Sequence, residues 1–266
     1  LDFMLELIPD LDFISQMAAV QKKLIATGIP MCVPEYRAES EKVFTAEGMC
    51  DPNLALNAYD RNEPVNVVPN DITFDERGRI YLLTGPNSGG KSVFMRTVGL
   101  IQIMAQIGML VPARKAVISP ASAILVELSY QNNSSDIGGR FELECRAFRE
   151  IFRKVDGHSL LIIDEAFSST NPNEAVMLCS ELLKTMQAIG VRGIMASHFH
   201  ALTEVVRELN ESGESVLDYL VAGVDRDEKR TYKIERRQPD GRSYANFIAR
   251  RYGVSYEDLM ALKEER

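Results

Sequence analysis

Gly85-Pro86-Asn87-Ser88-Gly89-Gly90-Lys91-Ser92 decides how this chain is read. The run fits the pattern G-x-x-x-x-G-K-[ST] at every specified position. Its glycines let successive backbone N–H groups curl around phosphate oxygens, and a helix that starts at the lysine aims its positive end at the same point. In this pattern Lys91 reaches the β- and γ-phosphates of a nucleoside triphosphate, and the Ser92 hydroxyl holds Mg2+. Upstream, residues 80–83 are a short apolar run of strand formers; downstream, residues 91–106 read as a helix stopped by Gly108. A strand before and a helix after are the context such a loop requires, and they disfavour a mere glycine-rich turn.

The second half of the site is Leu160-Leu161-Ile162-Ile163-Asp164-Glu165. An apolar strand ending in an acid sets a carboxylate beside the Mg2+, so Asp164 joins Ser92 as a metal ligand. Glu165 can activate a water for attack on the γ-phosphate. A nucleotide kinase has no use for that glutamate, whereas an ATPase does. His198, in Met195-Ala196-Ser197-His198-Phe199-His200, follows another core strand, and strand C-termini in a parallel sheet face the phosphate site. It could hydrogen-bond the γ-phosphate or the attacking water, or simply cap local structure; His200 shares its face in an extended segment.

Around these motifs the pattern alternates. Residues 10–27 read as a helix, 28–70 as mostly loop with short strands, 123–128 as a strand, 129–136 as a polar loop and 141–154 as a helix. Residues 160–163 are a central parallel strand, 173–189 a helix and 193–196 a strand, with a hairpin of 217–224 and 231–237. This βαβ rhythm predicts an α/β fold with helices on both faces of the sheet.

The 266 residues are 45% hydrophobic and 26% charged, as in an ordinary globular protein. Lys plus Arg number 30 and Asp plus Glu 38, a net charge of −8, which makes the chain a poor general binder of nucleic acid. The short charge clusters at residues 226–230, Arg236-Arg237 and Arg250-Arg251 are mixed with acids and read as solvated faces. Cys32, Cys50, Cys145 and Cys179 have no C-x-x-C spacing, which points to a reducing, cytoplasmic setting rather than a disulfide framework or zinc site. The most apolar stretch, residues 98–111, is broken by Gln102 and Gln106 and is too short to span a bilayer, and no signal peptide precedes it. A chain beginning at Leu1 rather than Met is expected to be a piece of a longer protein.

Taken together, the motifs resemble the C-terminal ATPase domain of the MutS family. Val68-Pro69-Asn70-Asp71 resembles that family's lead into the phosphate loop, and Thr84-Gly85-Pro86-Asn87 the opening of the loop itself. Ala105-Gln106-Ile107-Gly108 with Val111-Pro112-Ala113 is similar to its A-Q-x-G…V-P-A run. Ser197-His198-Phe199-His200 is similar to its T-H-[FY]-H-x-L, and Gly241-Arg242-Ser243-Tyr244 to its closing G-x-S-Y. Thr170-Asn171-Pro172-Asn173-Glu174 resembles T-D-P-x-E of the second bacterial paralogue more than the T-S-T-x-D of mismatch-repair members, although no Smr-type nuclease domain is visible.

The resemblance implies a P-loop NTPase of ATP-binding-cassette type. It would have a mostly parallel central sheet with flanking helices, a short helical segment over residues 1–45 and the ATPase domain over 46–266. It implies ATP and Mg2+ as ligands, a homodimer with composite sites, no membrane, and DNA contacts through domains absent from this chain. Gly85, Pro86, Asn87, Ser88, Gly89, Gly90, Lys91, Ser92 and Val93 would bind the nucleotide, Val67 and Val68 would pack the adenine, and His198 would sense the γ-phosphate. One position departs: Gly139-Arg140-Phe141 falls where the family has S-T-F, whose serine reaches the partner's γ-phosphate. That contact must then come from backbone N–H or from Arg140. Two functions compete on these residues: an Mg2+-dependent ATPase that, by the resemblance, drives conformational change of a clamp protein binding mismatched, branched or damaged DNA, favoured by Glu165, and a nucleotide-gated dimerisation module with little or no turnover, favoured by Gly139.

Overall fold

The computed structural model describes residues 2–128, 139–213, 216–225, 229–239, 253–254 and 258–260. In chain order the elements are α1 (Asp2–Ala26), β1 (Glu35–Tyr36), a 3-10 turn (Glu39–Glu41), β2 (Phe44–Met49), α2 (Pro52–Asp60), β3 (Asn70–Phe74), β4 (Ile80–Thr84), α3 (Lys91–Gln106), β5 (Lys115–Ile118) and β6 (Ile124–Glu127). They continue with α4 (Arg140–Lys154), β7 (Leu160–Asp164), α5 (Pro172–Ile189), β8 (Arg192–Ala196), α6 (Leu202–Ser212), β9 (Leu217–Val224) and β10 (Arg230–Arg236).

The larger sheet has six strands in the order β10-β9-β4-β8-β7-β6. Every pairing in it is parallel except the β9/β10 hairpin. Strands β4 and β8 are buried at every residue, as continuous apolar runs must be when both faces of a parallel sheet are covered. Alternate side chains go to opposite faces. Tyr81, Leu83, Ile162 and Ile194 pack with Phe94, Met95, Val98 and Ile101 of α3 and with the second sheet. Ile80, Leu82, Leu161 and Ile163 pack with Phe148 of α4, Cys179 and Leu183 of α5 and Val206 of α6. The fold is thus α/β, with a mostly parallel sheet flanked by helices, as the alternation predicts.

Several features differ from the sequence reading. The stretch 28–70, read as loop and short strand, contains α2, started by the Asp51 carboxylate accepting the Leu54 N–H at 2.8 Å with Pro52 in the first turn. It also supplies β1, β2 and part of β3, which with β5 make a separate four-stranded sheet, β1-β5-β2-β3. Helix α1 starts at Asp2 rather than near residue 10 and continues through Pro9. Residues 129–136, 226–228, 250–251 and Gly241 to Tyr244, all read from sequence, lie outside the described residues.

Candidate functional site

Strand β4 ends at Thr84, and the glycine-rich loop turns from there into α3, whose first residue is Lys91. Gly85 has φ +131°, and a Cβ there would lie 2.7 Å from the Ala222 Cβ of β9, so only glycine lets the loop lie on the sheet this closely. Gly90 caps α3 with φ +94°, beside Tyr232. The first N–H groups of α3 open onto a cleft of about 680 Å3. Asn87, Ser88, Gly90, Lys91, Ser92 and Val93 line it, whereas Gly85, Pro86 and Gly89 form the packed back of the loop.

Lys91 is 5% exposed, and its ammonium donates to the carbonyls of Gly85 at 3.0 Å and Pro86 at 3.3 Å. Glu165 Oε1 stands 3.8 Å from the same nitrogen. Burial pulls the Lys91 pKa down, while Glu165 and Asp164 pull it back up. The Ser92 hydroxyl donates to Asp164 Oδ2 at 2.6 Å, so the two oxygens that the sequence assigns to a metal are already adjacent, from α3 and from the end of β7. Burial raises the Asp164 carboxyl above the ordinary range. The Ser92 hydrogen bond and Lys91 oppose that rise, and Glu165 adds to it. A serine hydroxyl and a carboxylate oxygen are hard donors suited to Mg2+. The pair, the buried ammonium and the loop therefore fit a Mg2+–triphosphate.

The backbone after β7 is unusual. Glu165 has φ +51° and Phe167 φ +57°. Left-handed backbone at a non-glycine residue costs about 1–3 kcal/mol and persists only where neighbours over-determine it. Here the Glu165 N–H donates to the Ala196 carbonyl of β8 at 3.0 Å, and the Phe167 N–H to Glu144 Oε2 of α4 at 2.9 Å. The backbone of the glutamate is thereby held beside the cleft that its residue lines.

Val67 and Val68 also line the cleft, with Met49, Leu54 and Tyr232. Tyr232, with φ +57° in an irregular part of β10, is a site residue that the sequence does not single out. Asn70 holds it there: its amide donates to the Tyr232 carbonyl at 3.0 Å and accepts the Ile234 N–H at 2.7 Å. Asp51, 2% exposed, takes Arg96 Nε at 3.0 Å and the Thr97 hydroxyl at 3.2 Å, tying α2 to α3 along the cleft wall.

His198 is exposed just beyond β8, its ring 4.2 Å from that of Phe199, and is not among the lining residues; His200 is also exposed. Ser197, before it, donates its N–H to the Leu83 carbonyl of β4, so His198 leaves the sheet at the end from which the loop leaves. Gly139 caps α4 and Arg140 begins it, and neither lines the cleft. Arg140 Nε pairs with Glu144 Oε1 at 3.1 Å. All four cysteines are free thiols, and among the described residues no group of His, Cys, Asp and Glu could hold a metal by itself.

Comparison with known proteins gives one family. A family model described as MutS domain V matches residues 81–257. The chain is 32% identical over 194 residues to an endonuclease MutS2 of Thermus thermophilus, covering 73% of this chain and 25% of that protein. It is 28% identical over 274 residues to a DNA mismatch repair protein MutS of Chlorobium phaeobacteroides, 94% of this chain and 30% of that one. A DNA mismatch repair protein MutS of Sorangium cellulosum is 36% identical over 191 residues, 70% of this chain and 20% of that one. The chain thus spans less than a third of the length of these relatives.

Proposed function

The chain belongs to the MutS family, and from that premise we propose that it binds ATP with Mg2+ over the glycine-rich loop and hydrolyses it. In this reading it is the ATP-binding-cassette-type motor of a longer DNA-acting protein. One observation carries the proposal: Lys91, Ser92, Asp164 and Glu165, from two separate segments, converge on a nucleotide-sized cleft.

Lys91 exchanges the Gly85 and Pro86 carbonyls for β- and γ-phosphate oxygens, and the loop N–H groups and the α3 N-terminus take up the remaining charge. Ser92 and Asp164 would hold Mg2+, which when bound would neutralise charge on the phosphates. Glu165 orients a water at the γ-phosphate and accepts its proton. His198 is assigned to sensing the γ-phosphate. Val67 and Val68 pack one face of the adenine, and Tyr232, on the same cleft, offers an aromatic face.

Two protomers would form composite sites, with Gly139 and Arg140 of one facing the phosphates of the other. The names of the relatives support DNA as the target of the whole protein, reached through segments other than this chain. Residues 1–45 would then be the end of a helical lever and 46–266 the ATPase domain. Leu11, Phe13 and Ile14, exposed on α1, support that division by wanting a cover. A cytoplasmic setting belongs to the same reading; no described helix is long and apolar enough to cross a membrane. Gly139, without a hydroxyl, favours the second reading of a nucleotide-gated dimerisation module.

Two variants separate these. Lys91→Ala should weaken ATP binding by about 10- to 100-fold, the worth of a charge-assisted contact, and unchanged affinity would sink the loop assignment. Glu165→Gln should bind ATP normally but lose about 10²–10⁴-fold in turnover, as expected for loss of a general base. A parent chain that binds tightly without turnover would establish the gated module instead.

A further inference from the structure

We propose that Glu144 is a positioning residue for hydrolysis, a two-armed clamp joining the turn that carries Glu165 to the first residue of α4. The proposal rests on the ATPase reading above and extends it to a residue outside the cleft.

Both oxygens of Glu144 are in use. Oε2 accepts the backbone N–H of Phe167 at 2.9 Å, and Oε1 accepts Nε of Arg140 at 3.1 Å. The side chain is only 11% exposed, so water is a poor substitute for either partner. The Phe167 arm acts on the strained turn Glu165-Ala166-Phe167, whose first and third residues have left-handed backbone. The same helix grips that turn twice more, with Phe148 at 5.0 Å and Phe141 at 5.9 Å between ring centroids and the Phe167 ring. Glu165 is therefore aimed from two sides, by β8 through its own N–H and by α4 through Phe167.

The Arg140 arm gives the clamp a second function. Arg140 also reaches the Ser168 hydroxyl at 3.5 Å, so one guanidinium spans the clamp and the end of the same turn. It is half exposed at the start of α4. An anion that draws Arg140 away releases one oxygen of Glu144 and changes what holds the turn. The clamp thereby links occupancy at the head of α4 to the aim of the catalytic carboxylate.

Glutamate is the residue this geometry needs, because both partners are donors. Glutamine has the same shape with a single acceptor oxygen, so its NH2 must face either the Phe167 N–H or the Arg140 guanidinium. Turnover, ATP KM, ADP affinity and melting temperature of the chain are to be compared for Glu144→Gln, Arg140→Ala and the double variant, with Glu165→Gln alongside. Glu144→Gln should lower kcat by about tenfold through misplacement of the base, with KM and ADP affinity essentially those of the parent and a melting temperature only a few degrees lower. The double variant should turn over like Arg140→Ala alone, because removing the guanidinium relieves the donor–donor clash. Unchanged kcat in Glu144→Gln overturns the clamp, and so does a parallel loss of kcat, affinity and melting temperature, the mark of general loosening. If Glu165→Gln abolishes turnover while Glu144→Gln does not affect it, the clamp alone fails. A parent without turnover removes the ATPase reading and the clamp with it.

Discussion

Asp164 meets two opposed demands, since burial disfavours its charge and its proposed metal requires that charge. Its carboxyl is raised by desolvation despite the Ser92 hydroxyl at 2.6 Å. A raised folded pKa means that the neutral form suits the fold, so this group's contribution to stability is present at low pH and is lost as pH rises through the raised value. Above the raised value the ionised carboxylate is therefore a cost that bound Mg2+ would offset. Asp164→Asn should raise the melting temperature of the ligand-free chain at neutral pH. The same variant should forfeit the gain from Mg2+ and ATP, about 2.7 kcal/mol at a hundredfold excess over Kd, or about 5–10 °C at this size. A variant that keeps the full ligand-induced gain would remove Asp164 from the metal site. At this scale Lys91, Ser92, Asp164 and Glu165 are legible in the sequence because each sits in a contiguous motif whose chemistry dictates its neighbours. Tyr232 and Glu144 are not, since their roles come from a strand irregularity and from a contact between residues 144 and 167 that no local pattern encodes.

Helix α4 begins without a side-chain cap, because Gly139 occupies the N-cap position. Its φ of −66° is open to any residue, and among the described residues a Cβ there would meet nothing within 4 Å. Gly139→Ser should thus fit without strain and change stability by only a few tenths of a kcal/mol. If the missing hydroxyl limits closure of the dimer, the variant should self-associate more strongly than the parent when ATP and Mg2+ are present, but not with ADP. Sedimentation in the two nucleotides checks this, and identical behaviour of parent and variant would dissociate Gly139 from closure. The helices and strands of the central sheet were readable from period and punctuation: α3 runs from Lys91 to Gln106 and α4 starts one residue before the expected 141. Helix α2 escaped because Pro52 reads as a breaker, although a proline in the first turn after an aspartate cap is also how a helix starts. Helix α6 has no counterpart in the sequence reading, although Leu202, Val206 and Leu209 stand at helical spacing on its buried face.

Across the whole molecule, Arg192 joins the two sheets. It lies fully buried at the start of β8 and donates to the carbonyls of Val43 at 3.1 Å, Pro120 at 3.2 Å, His158 at 3.3 Å and Ser119 at 3.4 Å. Burial lowers its pKa to about 10, so the cation is kept by backbone carbonyls. Arg192→Met should destabilise the chain by about 3 kcal/mol or more, because it orphans several buried acceptors at once. Urea unfolding measures this, and a loss under about 1 kcal/mol would show that the carbonyls find other partners. The second sheet was the least legible part of the fold, since short strands from residues 35–49, 70–74 and 115–118 pair only through long-range register. The parallel sheet announced itself through the continuous apolar runs of β4, β7 and β8. The central claim is that these strands deliver an ATP-hydrolysing site shared between two protomers. Steady-state ATP hydrolysis with Mg2+, measured against protein concentration for the parent and for Glu165→Gln, tests it most directly. The account predicts a specific activity that rises with concentration and is absent from the variant. A flat activity would contradict the shared site, and equal activity in the two proteins would contradict Glu165 as the base.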